Sequence, residues 1–145
     1  MPFKVTISSS DSKTVLSKCI DNIDLRVDSP NGANARSTDV DNNIEISGQI
    51  GTVEPTIDLY KWSLLPAGDK QCYRSVEAKI TGAHGSLLRK VTFPHGFIVD
   101  YIENYSSYNG NGSFCLIIKQ KKDKADCIQV TGDTEVGGED EDGEE

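Results

Sequence analysis

The sequence predicts a mainly β protein, an antiparallel β-barrel with one short α-helix. Three features of the 145 residues support this class. Apolar and polar side chains alternate through most segments, which is the period of a strand with one buried face. Turn residues separate these segments, and only one stretch has helical spacing. A chain of this length fits one domain and can bury a core without metal or disulfide bonds.

The first strands are predicted from alternation within residues 3–28. FKVTISS alternates from its start, and TVLSKCIDNIDLRVDS has period 2 from Ile23 through Leu25 and Val27. The segment 29–43, SPNGANARSTDVDNN, contains proline, glycine and four asparagines and is predicted to be a long loop. A loop of this length is either an arm that reaches a neighbour or the end of a hairpin, and both readings stay open.

A strand and the only predicted helix occupy the middle of the chain. NIEISGQI alternates, and EPTIDLYKWSLLPAG then breaks the alternation. Pro55 suits a first helical turn, and Ile57, Tyr60 and Leu64 have helical spacing. We interpret Trp62 and Tyr60 as core anchors in preference to an aromatic ligand site.

The second half contains the remaining strands and the strongest hairpin signal. CYRSVEAKITG alternates, and residues 87–105, LLRKVTFPHGFIVDYIENY, form a long strand region in which Pro94 and Gly96 mark a bulge. YNGNG, within residues 106–113, predicts a hairpin turn because Asn-Gly supplies positive φ at low cost. SFCLIIKQKK is the partner strand, and DCIQV is predicted to add a last short strand.

Charge is distributed unevenly along the chain. The net charge is −8, but residues 135–145 carry seven of the 23 acidic residues and none of the 15 basic ones. We therefore predict a barrel domain over residues 1–134 and an acidic disordered tail over residues 135–145. The tail is a bait for a partner, a device that increases solubility, or simply a solvated end. The remaining body is close to neutral, which gives no support to nucleic-acid binding.

No targeting or membrane segment is recognisable in the sequence. The first residues, MPFKVTISSSDSKTV, lack the apolar core of a secretory signal, and no apolar run approaches the length of a membrane helix. We expect a cytoplasmic protein without membrane insertion, and export inside a larger apparatus stays open.

No residue is predicted to be catalytic, to bind a cofactor or to hold a metal. We interpret Cys115 as a small buried hydrophobe, and residues 39–45, DVDNNIE, as an Asx-rich turn without the glycine and helical flanks of a calcium loop. His95, near Asp100, is interpreted as a turn histidine because no serine or cysteine is placed as a nucleophile. Four cysteines occur without CxxC spacing: Cys19, Cys72, Cys115 and Cys127.

A basic cluster, KQKKDK, spans residues 119–124. Strand alternation places Lys119 and Lys121 on one face and Gln120 and Lys122 on the other. The cluster either pairs with an acidic patch on another copy or with the acidic tail, or it is a solvated strand end.

The order of these elements resembles the Hcp family, the tube proteins of type VI secretion, and the tail-tube proteins of contractile phage tails and injection systems. A strand pair leads through a long polar loop to IEISGQI and the Pro-started helix EPTIDLYKWSLL. YRSVEAKITG, LLRKVTFPHGFIVDYIENYS, the turn NGNGS and FCLIIKQKK follow in that order. The resemblance covers residues 3–131 and includes no diagnostic motif.

The resemblance implies a β-barrel with one helix packed on it, and six copies in a ring with a wide lumen. Rings stack into a tube, and the segment 29–43 would be the loop that reaches the adjacent ring. The turn 106–113 would be one of the variable Gly-rich loops of the family. The implied partners are further copies, with sheath, baseplate or cargo proteins, and the family has no catalytic residues.

Two other functions remain as alternatives to a tube protein. A ligand-binding β-barrel module for a carbohydrate or a protein would use exposed aromatic side chains, with Tyr101, Tyr105 and Tyr108 as candidates. A membrane-associated hydrolase or protease would use His95 and Asp100 with a serine or cysteine.

Overall fold

The computed structural model describes residues 2–28, 41–51, 53–108, 110–121 and 128–132. The described part has eight strands and one α-helix, which confirms a mainly β fold with one short helix. One turn of 3-10 helix, Lys70–Cys72, follows this α-helix. The elements are β1 Phe3–Ser8, β2 Lys13–Leu16, β3 Ile20–Asp28, β4 Asp41–Ile50, α1 Ile57–Ser63, β5 Arg74–Thr81, β6 Leu87–Tyr105, β7 Gly112–Gln120 and β8 Gln129–Gly132.

Two predicted segments fall wholly or mostly outside the described residues. The acidic tail 135–145 lies outside them entirely, so the predicted domain boundary at residue 134 stays a prediction. Of the loop 29–43, only residues 41–43 are described, and they begin β4.

The strands form one antiparallel sheet that divides into two half-sheets at β6. The strand order is β2-β1-β5-β6-β7-β4-β3, with β8 paired to β6. The N-terminal part of β6, up to Gly96, pairs with β5 and β8, and the C-terminal part pairs with β7. We call β2, β1, β5, β8 and the N-terminal part of β6 the first half-sheet. The second half-sheet consists of β3, β4, β7 and the C-terminal part of β6.

The division falls at the predicted bulge in β6, which is confirmed. Val76 faces Phe93 across the β5–β6 ladder, whereas Arg74 faces Gly96, so β6 has one extra residue at this point. A Cβ at Gly96 would lie 3.0 Å from the Ile118 side chain and 3.2 Å from that of Val76. Glycine therefore allows the side chains of both half-sheets to approach the bulge closely.

One hydrophobic core collects the inward side chains of both half-sheets. The core strands contribute alternate residues, as in β7, where Phe114, Leu116 and Ile118 are buried and their neighbours are not. This is the period expected of strands with one buried face. The other buried apolar residues of the cluster are Val5, Ile7, Leu16, Cys19, Ile20, Ile44, Ile46, Leu59, Trp62, Val76, Ala78, Val91 and Phe93.

The helix packs on the core through a face that the sequence analysis did not predict. Leu59 and Trp62 are buried, and the Trp62 indole N–H donates to the Cys72 carbonyl at 2.8 Å. The interpretation of Trp62 as a core anchor is confirmed, whereas that of Tyr60 is wrong. Tyr60, Ile57 and Leu64 are exposed. Apolar residues occur on both faces of this short helix, so spacing alone could not decide which face is buried.

The predicted barrel is open between β2 and β3. These strands lie at opposite ends of the strand order, although only residues 17–19 separate them in the chain, and no pairs join them in the described register. The connection is held against β4 by the Gln49 N–H, which donates to the Cys19 carbonyl at 2.8 Å. A Cβ at Gly48 would collide with this carbonyl, so the corner requires glycine there.

The carboxylate of Glu54 fills this open corner. It accepts hydrogen bonds from the Ser17 N–H at 2.9 Å, the Lys18 N–H at 2.8 Å and the Cys19 N–H at 2.9 Å. The Ser17 hydroxyl also donates to it, at 3.1 Å. Burial acts to raise the pKa of Glu54, but donation from Ser17, Cys19 and Lys18 outweighs it and lowers the pKa to about 2. One side chain thus satisfies three consecutive backbone donors that have left the sheet.

The hairpin between β6 and β7 has the predicted turn chemistry. Tyr105 faces Gly112 across the ladder, and Gly110 has a φ of 66°. The predicted hairpin at 106–113 is confirmed, since glycine adopts positive φ without steric cost. Within the described residues, no helix is both long enough and apolar enough to cross a bilayer.

Candidate assembly site at the free strand edges

The second half-sheet has two long edges with no partner strand among the described residues. β3 is nine residues long and pairs only with β4, and β6 from Phe97 to Tyr105 pairs only with β7. The other edge strands, β2 and β8, have four residues each. Short edges are a common protection against unwanted pairing, whereas a long edge offers a row of backbone donors and acceptors to another strand.

The two long edges run in opposite directions. β3, β4, β7 and β6 are successive antiparallel neighbours, so β3 and β6 are antiparallel to each other. In copies related by rotation about an axis along the strands, β3 of one copy would meet β6 of the next copy in antiparallel orientation. This contact would continue the pattern of the half-sheet itself.

Exposed apolar side chains accompany both edges. Leu25 and Val27 on β3 point toward the core side of the sheet but are 38% and 56% exposed, because β3 is the last strand. On β6, Ile102 is 54% and Tyr105 is 63% exposed. A neighbouring strand would bury these four side chains, and such a contact is favoured by the area that it removes from water.

A tyrosine–carboxylate group orders the side chains along the β6 edge. The Tyr101 and Tyr105 hydroxyls donate to the two oxygens of Glu103, at 2.5 and 2.7 Å. Tyr60 on α1 packs edge-on against Tyr101, with 5.7 Å between the ring centroids. Burial, followed by the hydrogen bond to Glu103, raises the pKa of Tyr101. The pKa of the more exposed Tyr105 is raised chiefly by its hydrogen bond to Glu103.

Replacing Glu103 with glutamine is expected to lower the pKa of Tyr105, because a neutral amide accepts a weaker hydrogen bond from the phenol than a carboxylate does and carries no charge that opposes its ionisation. The measurement is the tyrosinate absorbance as a function of pH. The transition that is missing in the variant Tyr105→Phe is the one that belongs to Tyr105. Glu77→Gln, on the first half-sheet, removes the same charge and should leave this transition in place. Equal curves for the two glutamine variants would contradict the arrangement.

The outer face of the second half-sheet, which faces away from the core, carries mainly polar side chains, although the exposed Ile102 shares this face with its ladder partner Cys115. A shallow groove of about 390 Å³ crosses it near the hairpin. Cys115 points to this face and its thiol donates to Glu45 at 3.4 Å, while burial and then Glu45 raise the pKa of Cys115. The groove is lined by Asp21, Gln49, Asn104, Ser106, Asn111, Gly112 and Ser113.

Three interpretations, of two side chains and of one segment, are wrong. His95 is exposed within β6 instead of in a turn, and its backbone N–H donates to the Gln120 side chain at 3.1 Å. Cys115 is half-buried on the outer face, because side chains alternate along β7 and those of its neighbours Phe114 and Leu116 point into the core. Residues 41–45 are extended in β4, so the described part of 39–45 is not an Asx-rich turn.

The remaining candidates are dispersed along the fold. His95 and Asp100 lie on the same strand and make no hydrogen bond or ion pair with each other. Tyr108 is 97% exposed in the hairpin and stands apart from the Tyr101–Glu103 contact. Among the described residues, no three histidine, cysteine, aspartate or glutamate side chains are grouped so that they could hold a metal ion.

The predicted alternation of the basic cluster is confirmed within β7. Lys119 lies on the outer face, opposite Asn43 and Phe97 in the ladders, whereas Gln120 is buried. Lys121 follows the end of β7, and Lys122–Lys124 lie outside the described residues. The Lys119 ammonium is 3.8 Å from the Asp41 carboxylate, and that of Lys121 is 5.1 Å from the centre of the Tyr73 ring.

The architecture defines a class of protein: a small open antiparallel sheet with two long edges that have no partner strand among the described residues. No protein-family model matches the chain, and no curated protein sequence matches it. Solved structures match its fold. Hcp1 from Flavobacterium johnsoniae is 16% identical, with 92% of this chain and 97% of that chain covered and a TM-score of 0.57.

Two contractile injection systems contain chains of similar fold. A chain of the 6-fold symmetrised anti-feeding prophage baseplate is 12% identical, covers 90% and 93% of the two chains and has a TM-score of 0.57. A chain of the extended PVC sheath-tube complex is 10% identical, covers 90% and 88%, and has a TM-score of 0.55. The protein therefore has the fold of Hcp and contractile-injection tube proteins, which confirms the resemblance at the level of the fold.

Proposed function

We propose that this chain is a structural tube subunit of a contractile injection or type VI-like secretion system. It assembles with copies of itself into hexameric rings, and the rings stack into a channel. The observation that carries this proposal is the pair of long free edges of the second half-sheet, β3 and Phe97–Tyr105. Each copy has one of these edges for each of its two neighbours in the ring. Because the two edges run in opposite directions, β3 of one copy meets β6 of the next as an antiparallel pair.

Ring closure through these edges also selects the face that lines the channel. The core side of the second half-sheet is covered by the first half-sheet and α1, so that side lies away from the lumen. The polar outer face, with Ser113, Asn104 and Gln49, lines the channel and stays hydrated. Cargo then passes along a wall without large apolar patches.

The role is structural and not catalytic. Six-fold symmetry and sheath contact are features of the assemblies to which the proteins of similar fold belong. By analogy, the partners of this chain are its own copies, with sheath, baseplate or cargo proteins as further ones. It is made in the cytoplasm and leaves the cell as part of the apparatus.

Electron microscopy of the purified protein tests the proposal. We expect rings with six-fold symmetry and a central channel in negative stain, and sedimentation velocity should show ring-sized species that increase with protein concentration. A chain that stays monomeric at every concentration and salt condition would contradict it.

A further inference from the structure

A row of three lysines crosses the outer face of the first half-sheet. Lys4 on β1 faces Lys79 on β5, and Lys79 faces Lys90 on β6. The next residue in this row is Thr131 on β8. Paired residues of neighbouring strands have Cβ atoms roughly 5 Å apart and point to the same face, so three ammonium groups share one narrow strip.

The described residues supply one anion to this strip. Glu77 lies 3.1 Å from the Lys90 ammonium, and both side chains are well exposed. Lys4 and Lys79 make no ion pair with the described residues. Like charges directly opposite each other destabilise a sheet, so an anion bound at the strip would offset the repulsion between the three ammonium groups.

The chain carries that negative charge directly after the strip. β8 ends at Gly132, one residue after Thr131, and the acidic segment 135–145 with its seven carboxylates follows in the chain. From β8 to β1 the distance is about 14 Å, three strand spacings. The 13 residues of 133–145 could extend over roughly 40 Å, so the segment can reach Lys4.

Two lysines of the basic cluster at residues 119–124, Lys119 and Lys121, already make contacts with described residues. Lys119 already lies 3.8 Å from Asp41, and Lys121 lies over the Tyr73 ring. Lys4 and Lys79, by contrast, have no such described partner. Tethering beside the lysine row also gives the acidic segment a high effective concentration there.

We propose that the acidic segment 135–145 binds the lysine row Lys4–Lys79–Lys90 of its own chain. The row is an anion-binding surface on the first half-sheet, and the segment is its intramolecular occupant. This surface is separate from the edges of the second half-sheet, so the proposal does not depend on ring formation.

Zero-length carbodiimide cross-linking of the full chain tests this proposal. An equal mixture of ¹⁴N- and ¹⁵N-labelled protein is treated at low ionic strength, and mass spectrometry identifies the joined peptides. We expect 135–145 to be joined to Lys4, Lys79 and Lys90 within single molecules, at least about fivefold more often per lysine than to Lys13, Lys61 or Lys70. Added salt should reduce this excess. The Lys90–Glu77 pair is the internal positive control.

Three results of the cross-linking experiment would overturn the proposal. Cross-links between ¹⁴N- and ¹⁵N-labelled peptides would show that the segment binds a second copy. A majority of cross-links to residues 119–124 would show that it binds the other basic cluster. An even distribution over all lysines would show that it has no specific site. A double variant, Lys4→Gln with Lys79→Gln, keeps the Lys90–Glu77 pair and should shift the amide resonances of 135–145 toward their high-salt positions. The matched double variant Lys13→Gln with Lys61→Gln should leave them unchanged, and unchanged resonances in both variants would contradict the proposal.

Discussion

Replacing Val27 with lysine is expected to abolish ring assembly while the isolated chain stays folded. Val27 is 56% exposed on the free β3 edge, so it contributes little to the core of one copy. Surface substitutions of this kind usually change the free energy of unfolding by less than about 0.5 kcal/mol. In an assembled edge contact, however, the ammonium would be buried against the neighbour, and lysines on edge strands are a common device against pairing.

The matched control is Val53→Lys, which makes the same chemical change at a side chain that is 91% exposed between β4 and α1. Sedimentation velocity and electron microscopy should give monomers for the Val27 variant and rings for the Val53 variant. Thermal unfolding of both variants checks that the fold is intact. Rings of normal size from the Val27 variant would exclude the β3 edge from the contact.

Replacing Glu54 with alanine is expected to lower the free energy of unfolding by about 3 kcal/mol. The variant leaves three consecutive N–H groups, of Ser17, Lys18 and Cys19, without their acceptor, and a lost hydrogen bond to a charged group costs about 1.5–3 kcal/mol. For a domain of this size, the melting temperature should fall by roughly 10 °C. Glu77→Ala, which removes one exposed ion pair with Lys90, should cost less than about 1 kcal/mol.

The stabilisation from Glu54 should also depend on pH. Its pKa is lowered from 4.5 to about 2 in the folded protein, so its contribution is complete above about pH 4.5 and is lost as the pH falls toward 2. Denaturant unfolding at several pH values measures this. The difference in stability between the native protein and Glu54→Ala should shrink as the pH falls through this range, and a constant difference would show that the charge of Glu54 does not matter.

Features that depend on a few neighbouring residues could be predicted from the sequence. Pro94 and Gly96 predicted the bulge, and the Asn-Gly turn predicted positive φ at Gly110. The alternation in β7 predicted that Lys119 and Gln120 lie on opposite faces of the strand. In each case the local backbone preference and the tertiary structure agree.

Features that depend on distant parts of the chain could not be predicted. Leu25 and Val27 alternate like the residues of any half-buried strand, and only the strand order reveals that they lie on a free edge. Cys115 alternates correctly, but its face was not known until the sheet was folded. Glu54 lies in a short polar loop, and nothing near it in sequence indicates that its carboxylate receives donors from residues 17–19. Tertiary contacts decide all three.

The continuous course of β6 has a mechanical consequence. Its 19 residues run without a break from the first half-sheet, through the bulge, to the free edge at Tyr105. A load applied by a neighbouring subunit at that edge would travel along covalent backbone into the opposite wall of the core. In the proposed ring, force applied at this edge would therefore reach both half-sheets through one continuous strand.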